Sequence, residues 1–273
     1  MDASKATPAP VKLPRYASSL DEAATLAAST GKPKLTQYVY GTVLLIPASG
    51  AYKIDFGLAK WPPADVKKEV CCRMLLVSTW TDNRWGFAGG GVAYGEDPLD
   101  AMNREFLEET GSTSTTFEKG DYCFSHVKPD GSSTHVFCKR TTDLAHFQSI
   151  LTDFHSKSER TAYVDEVIGI CGMPLWIEGP ELCSQVDTGK NSVWGLPRLL
   201  VGNGGSFTQG IFFKVHTGLA REQFLLVLIK HKVLTEALLE RIVELSKAFP
   251  LGPPLLSCAD LLSLPGVQEV LNY

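Results

Sequence analysis

A run of three glycines leading into a helix with its start and stop spelled out restricts this chain's fold more than any other feature. The stretch is "GGGVAYGEDPLDAMNREFLEETGS", Gly89 to Ser112. Asp97 is placed to cap the helix and Pro98 takes the first helical position. Gly111 stands where the chain must turn left-handed to leave it. At about 100° per residue, Leu99, Met102 and Phe106 share one stripe, the face that packs against a sheet. Glu105 and Glu109 fall within about 40° of each other on its flank, and Glu108 lies further round. Like charges at this spacing weaken an isolated helix by roughly 0.2–0.5 kcal/mol per pair, so helix stability does not account for them.

Around this helix the chain alternates strand and helix signals. "YVYGTVLLIP" (38–47) and "VCCRMLLVST" (70–79) read as buried strands, separated by a loop-like insertion over about 48–69 that carries Trp61-Pro62-Pro63. "TFEKGDYCFSHV" (116–127) and "THVFCKRTT" (134–142) read as two strands joined by a turn at Pro129-Asp130-Gly131. A helix over Leu144–Phe154, a strand over 166–176 and a long helical stretch from Leu219 to about Ala248 follow. Mixed strands with helices between them predict an α/β sandwich. Residues 1–36, rich in Ala, Ser and Pro, read as a mobile or loosely packed extension. Residues 37–248 read as the main domain, and 249–273 as a Pro-bounded appendage with a short helix.

Composition narrows the function classes. With 44% hydrophobic and 21% charged residues the 273-residue chain is ordinary globular material. A net charge of −4 leaves no global basic field for nucleic acid, although a local basic groove remains compatible with it. Seven cysteines, odd in number and without a C-x-x-C pair, read as reduced residues of an intracellular protein, in nucleus or cytoplasm. Asp2, Asp21, Glu22 and a single Arg argue against a transit peptide, while mitochondrial import stays open. No apolar run reaches the roughly 18 residues a membrane span needs.

The carboxylates of the helix line the rim of its buried face, where partial desolvation is costly unless cations compensate. Oxygen-only ligands beside an open cleft suit Mg2+ or Mn2+, shared between carboxylates and a substrate's phosphates. The backbone of Gly89–Gly91, free of side chains, can approach a phosphate or offer a carbonyl to the metal. These features point to metal-assisted chemistry on a phosphate or pyrophosphate. A solvated acidic face, with Arg104 bridging Glu108 at i,i+4, is the structural alternative.

The spacing decides between them. Gly90, Glu96 and then Arg104-Glu105-Phe106-Leu107-Glu108-Glu109-Thr110-Gly111 resemble the Nudix box, with Ser112 the departure where an aliphatic residue is expected. The resemblance implies an α/β/α Nudix fold with a mixed sheet. It also implies cleavage of a nucleoside diphosphate linked to another moiety, by water attack on phosphorus. Carried over residue by residue, Glu105, Glu108 and Glu109 become metal ligands or a metal-linked base, and a carbonyl of Gly89 or Gly90 completes the coordination. Arg104 and Glu96 become a supporting ion pair. Which glutamate is the base stays open.

Later segments, "GDYCFSHV", "HVFCKRTT", "DEVIGICGMPLW", "GLPRLL" and "LAREQFLLVLIKHKVL", are similar in order and spacing to the snoRNA-decapping Nudix hydrolases that also hydrolyse inosine diphosphates. This likeness implies Glu166 as a further ligand or base, Phe87 as a base-stacking residue and Gln223 as a base-edge donor. Otherwise Glu166 is a strand-edge charge, Phe87 a core aromatic and Gln223 a solvent-facing helix residue. Relatives place a base-contacting His where this chain has Gly41, which removes one ground for inosine selectivity. Trp85 and Tyr94, flanking the glycines, are alternative stacking residues for a cap base. Lys139, Arg140, Arg198, Lys214, His216, Arg221, Lys230, His231 and Lys232 are candidate phosphate contacts. His126 is a candidate catalytic helper or a hydrogen-bonded strand histidine. The partners implied are a nucleotide or capped RNA, and a second copy of the chain as a homodimer. Hydrolysis of an RNA 5′ cap is the preferred function. A small-molecule nucleotide hydrolase and a non-catalytic RNA-binding protein are the alternatives.

Overall fold

The computed structural model describes residues 15–31, 36–46, 69–79, 85–156, 167–177, 221–233, 240 and 258–272. Its strands are β1 (Arg15–Ala17), β2 (Gln37–Leu45), β3 (Glu69–Thr79), β4 (Trp85–Gly86), β5 (Ala88–Gly91), β6 (Tyr122–Val127), β7 (Ser133–Thr141) and β8 (Val167–Ile177). The helices are α1 (Leu20–Ser29), α2 (Pro98–Thr110), α3 (Leu144–Ser156), α4 (Arg221–Lys230), α5 (Cys258–Ser263) and α6 (Val267–Leu271). One mixed sheet runs β1-β6-β7-β2-β3-β4, with β5 on β2 and β8 on β3. The β2–β7 pair is parallel and the others are antiparallel.

Side-chain alternation along β2 divides the core in two. Val39, Val43 and Leu45 face a cluster built with Met102 and Phe106 of α2 and Phe147 and Ile150 of α3. Tyr40 and Leu44 face the other cluster, with Phe224–Leu228 of α4, Leu261 of α5 and Val267 and Val270 of α6. Helices therefore cover both faces, the α/β/α sandwich that the sequence implies. Pro174 is accommodated in β8 because that strand pairs with β3 alone among the described residues, leaving its other side without a ladder to interrupt.

The glycines sit in a fork. Tyr38–Gly41 of β2 pair with β5, while Leu44 and Leu45 pair with β3. At the far end of β3, Val77 and Ser78 pair with β4. The β4–β5 segment thus wedges between two diverging strands and presents Gly89–Gly91 beneath α2.

Four expectations change. The stretch 15–31 is not a loose extension: β1 pairs with β6, Tyr16 is buried edge-on to Phe124 at 5.8 Å, and Ser19 caps α1. The C-terminal segment is packed too, since the Tyr16 N–H donates to the Pro265 carbonyl at 2.8 Å and Leu261, Val267 and Val270 are fully buried. The helix expected to run to about Ala248 stops at Lys230 in a turn where Val233 N–H reaches Leu228 O at 2.9 Å and Lys232 takes φ 58°. Within 116–121 the chain forms a capped 3-10 turn at Lys119–Asp121 instead of strand. The 48–69 insertion lies outside the described residues apart from Glu69, the first residue of β3.

Candidate active site

Helix α2 forms as its ends predict. The Asp97 carboxylate accepts from Leu99 N–H at 2.8 Å, Pro98 opens the helix, and Gly111 closes it at φ 73°. The apolar stripe holds, with Met102 and Phe106 fully buried. Asn103 pins the following loop by exchanging bonds with the Phe117 backbone at 2.6 and 3.1 Å. Ser112 is buried and shares a hydroxyl contact of 3.0 Å with Ser114, a packing role for the one position that departs from the box.

With its apolar stripe on the sheet, α2 lowers its flank onto β5. The Glu109 carboxylate accepts from the Gly89 N–H at 2.8 Å. The Glu105 carboxylate lies directly over Gly90, where an added Cβ would meet its Oε2 at 2.5 Å. Gly89 has φ +151°, and a Cβ there would run into the Val39 carbonyl oxygen. Only glycine permits this approach of two carboxylates to two successive backbone units.

Arg104 is the hub. Its Nε and Nη2 grip Glu96 at 2.9 and 3.0 Å, its Nη1 reaches Glu105 at 2.8 Å and Glu108 at 3.3 Å, and Nη2 also donates to the Gly91 carbonyl at 3.0 Å. Glu96 in turn accepts from Ala93 N–H at 2.8 Å, so the loop between glycines and helix is clamped at both ends. The Arg104 guanidinium and the Ala93 amide hold the Glu96 carboxyl down to about 2. Glu96, above all, raises the Arg104 pKa further. Both the expected ion pair and the i,i+4 contact to Glu108 are therefore present, on one guanidinium.

The donor set fits a hard divalent cation. Glu105 and Glu109 bring carboxylate oxygens to adjacent glycines, and Glu108 stands at the exposed rim, an all-oxygen donor set. Such an ion would be held by Glu105, Glu108 and Glu109 with a carbonyl of Gly89 or Gly90. The Gly91 carbonyl is already engaged by Arg104.

Tyr40 belongs to this neighbourhood although its strand gives no hint of it. It pairs with Gly89, and burial, then Tyr38, Glu109 and Glu105, push its hydroxyl up to about 12. Only the β2–β5 register brings it there.

The other expected residues scatter. Phe87 is 5% exposed and packs on Phe224, ring centroids 5.8 Å apart, so its base-stacking role gives way to core packing. Gln223, next to Phe224, is buried and not solvent-facing. Tyr94 is 93% exposed, open to stacking. Trp85 lies in β4, but its side chain falls outside the described residues, as do Glu166, Arg198, Lys214 and His216. Gly41 faces α2: a Cβ there would meet Met102 Sδ at 2.7 Å and Phe117 Cζ at 3.0 Å, so a histidine has no room. His126 lies tilted on Tyr16 at 5.1 Å, away from the glutamates on the edge pair β1–β6, and burial pulls its pKa down to about 4.

Residues 66–159 match the family model described as the NUDIX domain. No curated protein matches the chain. Among solved structures, a MutT/nudix family protein from Enterococcus faecalis aligns at 18% identity with a TM-score of 0.31, over 59% of this chain and 53% of that one. The chain thus spans about half the length of that relative. The E. coli ORF135 protein aligns at 19% identity with a TM-score of 0.26, over 55% of this chain and 77% of its own.

Proposed function

We propose, from the premise that this chain carries a NUDIX domain, that it is a divalent-cation-dependent pyrophosphohydrolase acting on a nucleoside diphosphate linked to a further group. One observation carries the reading. Glu105 and Glu109 are set against Gly90 and Gly89, in a cluster that Arg104 and Glu96 clamp. A purely structural role would be served by surface ion pairs, worth at most about 1 kcal/mol each, and would not require glycine at two adjacent positions.

When bound, the cation neutralises charge on the phosphoryl oxygens and acidifies a bound water. The chain's own contribution is orientation. Arg104 holds the Glu105 and Glu108 carboxylates in place, and the Gly89 N–H fixes Glu109. The Ala93–Glu96–Arg104 bonds keep the glycine loop from drifting. Exhaustive chelation abolishes turnover, and Mg2+ or Mn2+ restores it. Full activity after chelation would sink the reading.

For the leaving group, the segments after the box support an RNA 5′ cap, with release of a nucleoside diphosphate. A small-molecule nucleotide is the second reading, and a specific observation favours it. Two basic residues counted toward RNA are engaged within the fold. Lys139 pairs with Asp121 at 3.0 Å, and Lys230 donates to the Cys123 carbonyl at 2.6 Å. Product analysis on capped RNAs, free cap analogue and nucleoside diphosphates separates the readings. A cap hydrolase on RNA loses affinity with salt far more steeply than it does on cap analogue. Equal slopes favour the small molecule.

A further inference from the structure

We propose that Cys123, Cys138 and His231 form a second cation site, for a thiophilic divalent ion of the Zn2+ class, which ties the end of α4 to the sheet. The three come from β6, β7 and the turn after α4, and their Sγ, Sγ and imidazole nitrogen atoms all lie within 4.8 Å of one another. Cys123 Sγ and His231 Nε2 are 3.3 Å apart. With Zn–S near 2.3 Å and Zn–N near 2.0–2.1 Å, two ligands of one tetrahedral ion stand roughly 3.5–3.8 Å apart. The donors are already gathered at that scale, so binding demands little rearrangement.

A slip in the β6–β7 register and the last turn of α4 bring the cluster together. Between Tyr122 and Phe124 the β6–β7 register slips, and Cys123 and Phe124 both turn into the same core cluster where strict alternation would separate them. At the end of α4, His231 keeps the helical bond from its N–H to the Val227 carbonyl at 3.1 Å, and the chain leaves the helix one residue later, at Lys232 with φ 58°. A non-glycine residue in that region is uncommon, and so is an unpaired bulge residue. Lys230 fastens the arrangement by donating to the Cys123 carbonyl at 2.6 Å.

Cys123 and Cys138 are each 1% exposed, whereas His231 is half-buried, so the site closes on the core side and opens at the turn. Two thiolates and an imidazole select Zn2+ over Mg2+ or Mn2+, and three protein ligands leave a fourth position for water. The cluster belongs to the face covered by α4, opposite the face on which α2 packs. The chain would hold a soft ion in one place and a hard one in another.

The test uses the full chain, stripped of metal under reducing conditions and titrated with Co2+. The expected result is a thiolate-to-cobalt charge-transfer absorption that saturates near about one equivalent, is displaced by Zn2+ and is indifferent to excess Mg2+. Cys123→Ser and Cys138→Ser each abolish the band. His231→Gln, at the accessible turn, keeps the band and weakens Co2+ binding by about tenfold or more. Should the serine variants fail to fold, the wild-type band and the His231→Gln shift decide. A wild-type chain with no such band overturns the proposal. So does a band that survives both serine substitutions, because it then belongs to other cysteines. A Cys123–Cys138 disulfide formed on mild oxidation, in a chain without the band, also overturns it in favour of a redox pair.

Discussion

Alanine at two adjacent glycines should have opposite consequences. At Gly90 the nearest atoms an added Cβ meets are those of the Glu105 carboxylate, at 2.5 to 2.7 Å. Ordinary contact begins near 3.4 Å, so the carboxylate must retreat by about 0.9 Å. It is the far end of a flexible side chain, and the fold yields cheaply. The substitution also reduces unfolded-chain entropy, worth about 0.4–1 kcal/mol where the backbone is compatible. Gly90→Ala should therefore unfold within about 1 kcal/mol of the parent. Catalysis is less forgiving: a displacement of about 1 Å in a reacting constellation costs on the order of 10²-fold in rate. At Gly89 the Cβ runs into the Val39 carbonyl, part of the β2 backbone, and φ +151° is itself unfavourable for alanine. Strain of about 1–3 kcal/mol, with a similar overpacking cost, predicts that Gly89→Ala loses roughly 2–5 kcal/mol and frays the β2–β5 pairing.

Urea unfolding of both variants, Mn2+ affinity by electron paramagnetic resonance, and turnover on the best nucleotide of the panel read these effects separately. The Mn2+ measurement needs no substrate, so it stands even if the leaving group is misassigned. Wild-type Mn2+ affinity and turnover in Gly90→Ala would refute the assignment of Glu105 as a ligand. Equal destabilisation of the two variants would refute the packing on which the contrast rests.

Glu109→Gln keeps an oxygen to accept from Gly89 N–H but removes an anionic ligand. Melting should hold while turnover falls by about 10²–10³, and near-normal turnover would return the helix to a structural role. Tyr16→Ala removes a buried ring edge-on to Phe124 and tilted on His126 and should cost about 3–5 kcal/mol, seen as a lowered Tm; an unchanged Tm would restore the loose-extension reading. His126 and His135 are both held to about 4 by burial, against about 6.5 unfolded. Below pH 6.5 the unfolded chain takes up protons that the fold refuses, so stability is full above that pH and falls toward pH 4. By pH 5 the loss is about 2 kcal/mol per histidine, measurable as a drop in the urea midpoint, and a flat profile from pH 7 to 5 would contradict their burial.

What the sequence determined by itself is what lies within a few residues of its cause. The ends of α2 were readable because Asp97, Pro98 and Gly111 act on their own backbone, and its buried face because Leu99, Met102 and Phe106 repeat at the helical period. The Arg104–Glu108 contact followed from i,i+4 spacing and the Arg104–Glu96 pair from the resemblance to the Nudix box, whereas the contact to Glu105, the next residue in sequence, came only with the structure. Tertiary structure decided whatever needed a register or a long closure. Tyr40 comes opposite Gly89 only because β2 pairs with β5 in this register, and a shift of one residue would turn it to the other face. The Ala- and Ser-rich start lacks hydrophobic periodicity, yet three residues suffice for an edge strand once β6 offers its backbone and Pro265 accepts from Tyr16. Helix α4 ends at Lys230 with no proline or glycine to mark it, because its last turn bends back to place Val233 in the core. Cys123, Cys138 and His231 are more than ninety residues apart at the extreme, and only the folded sheet makes neighbours of them.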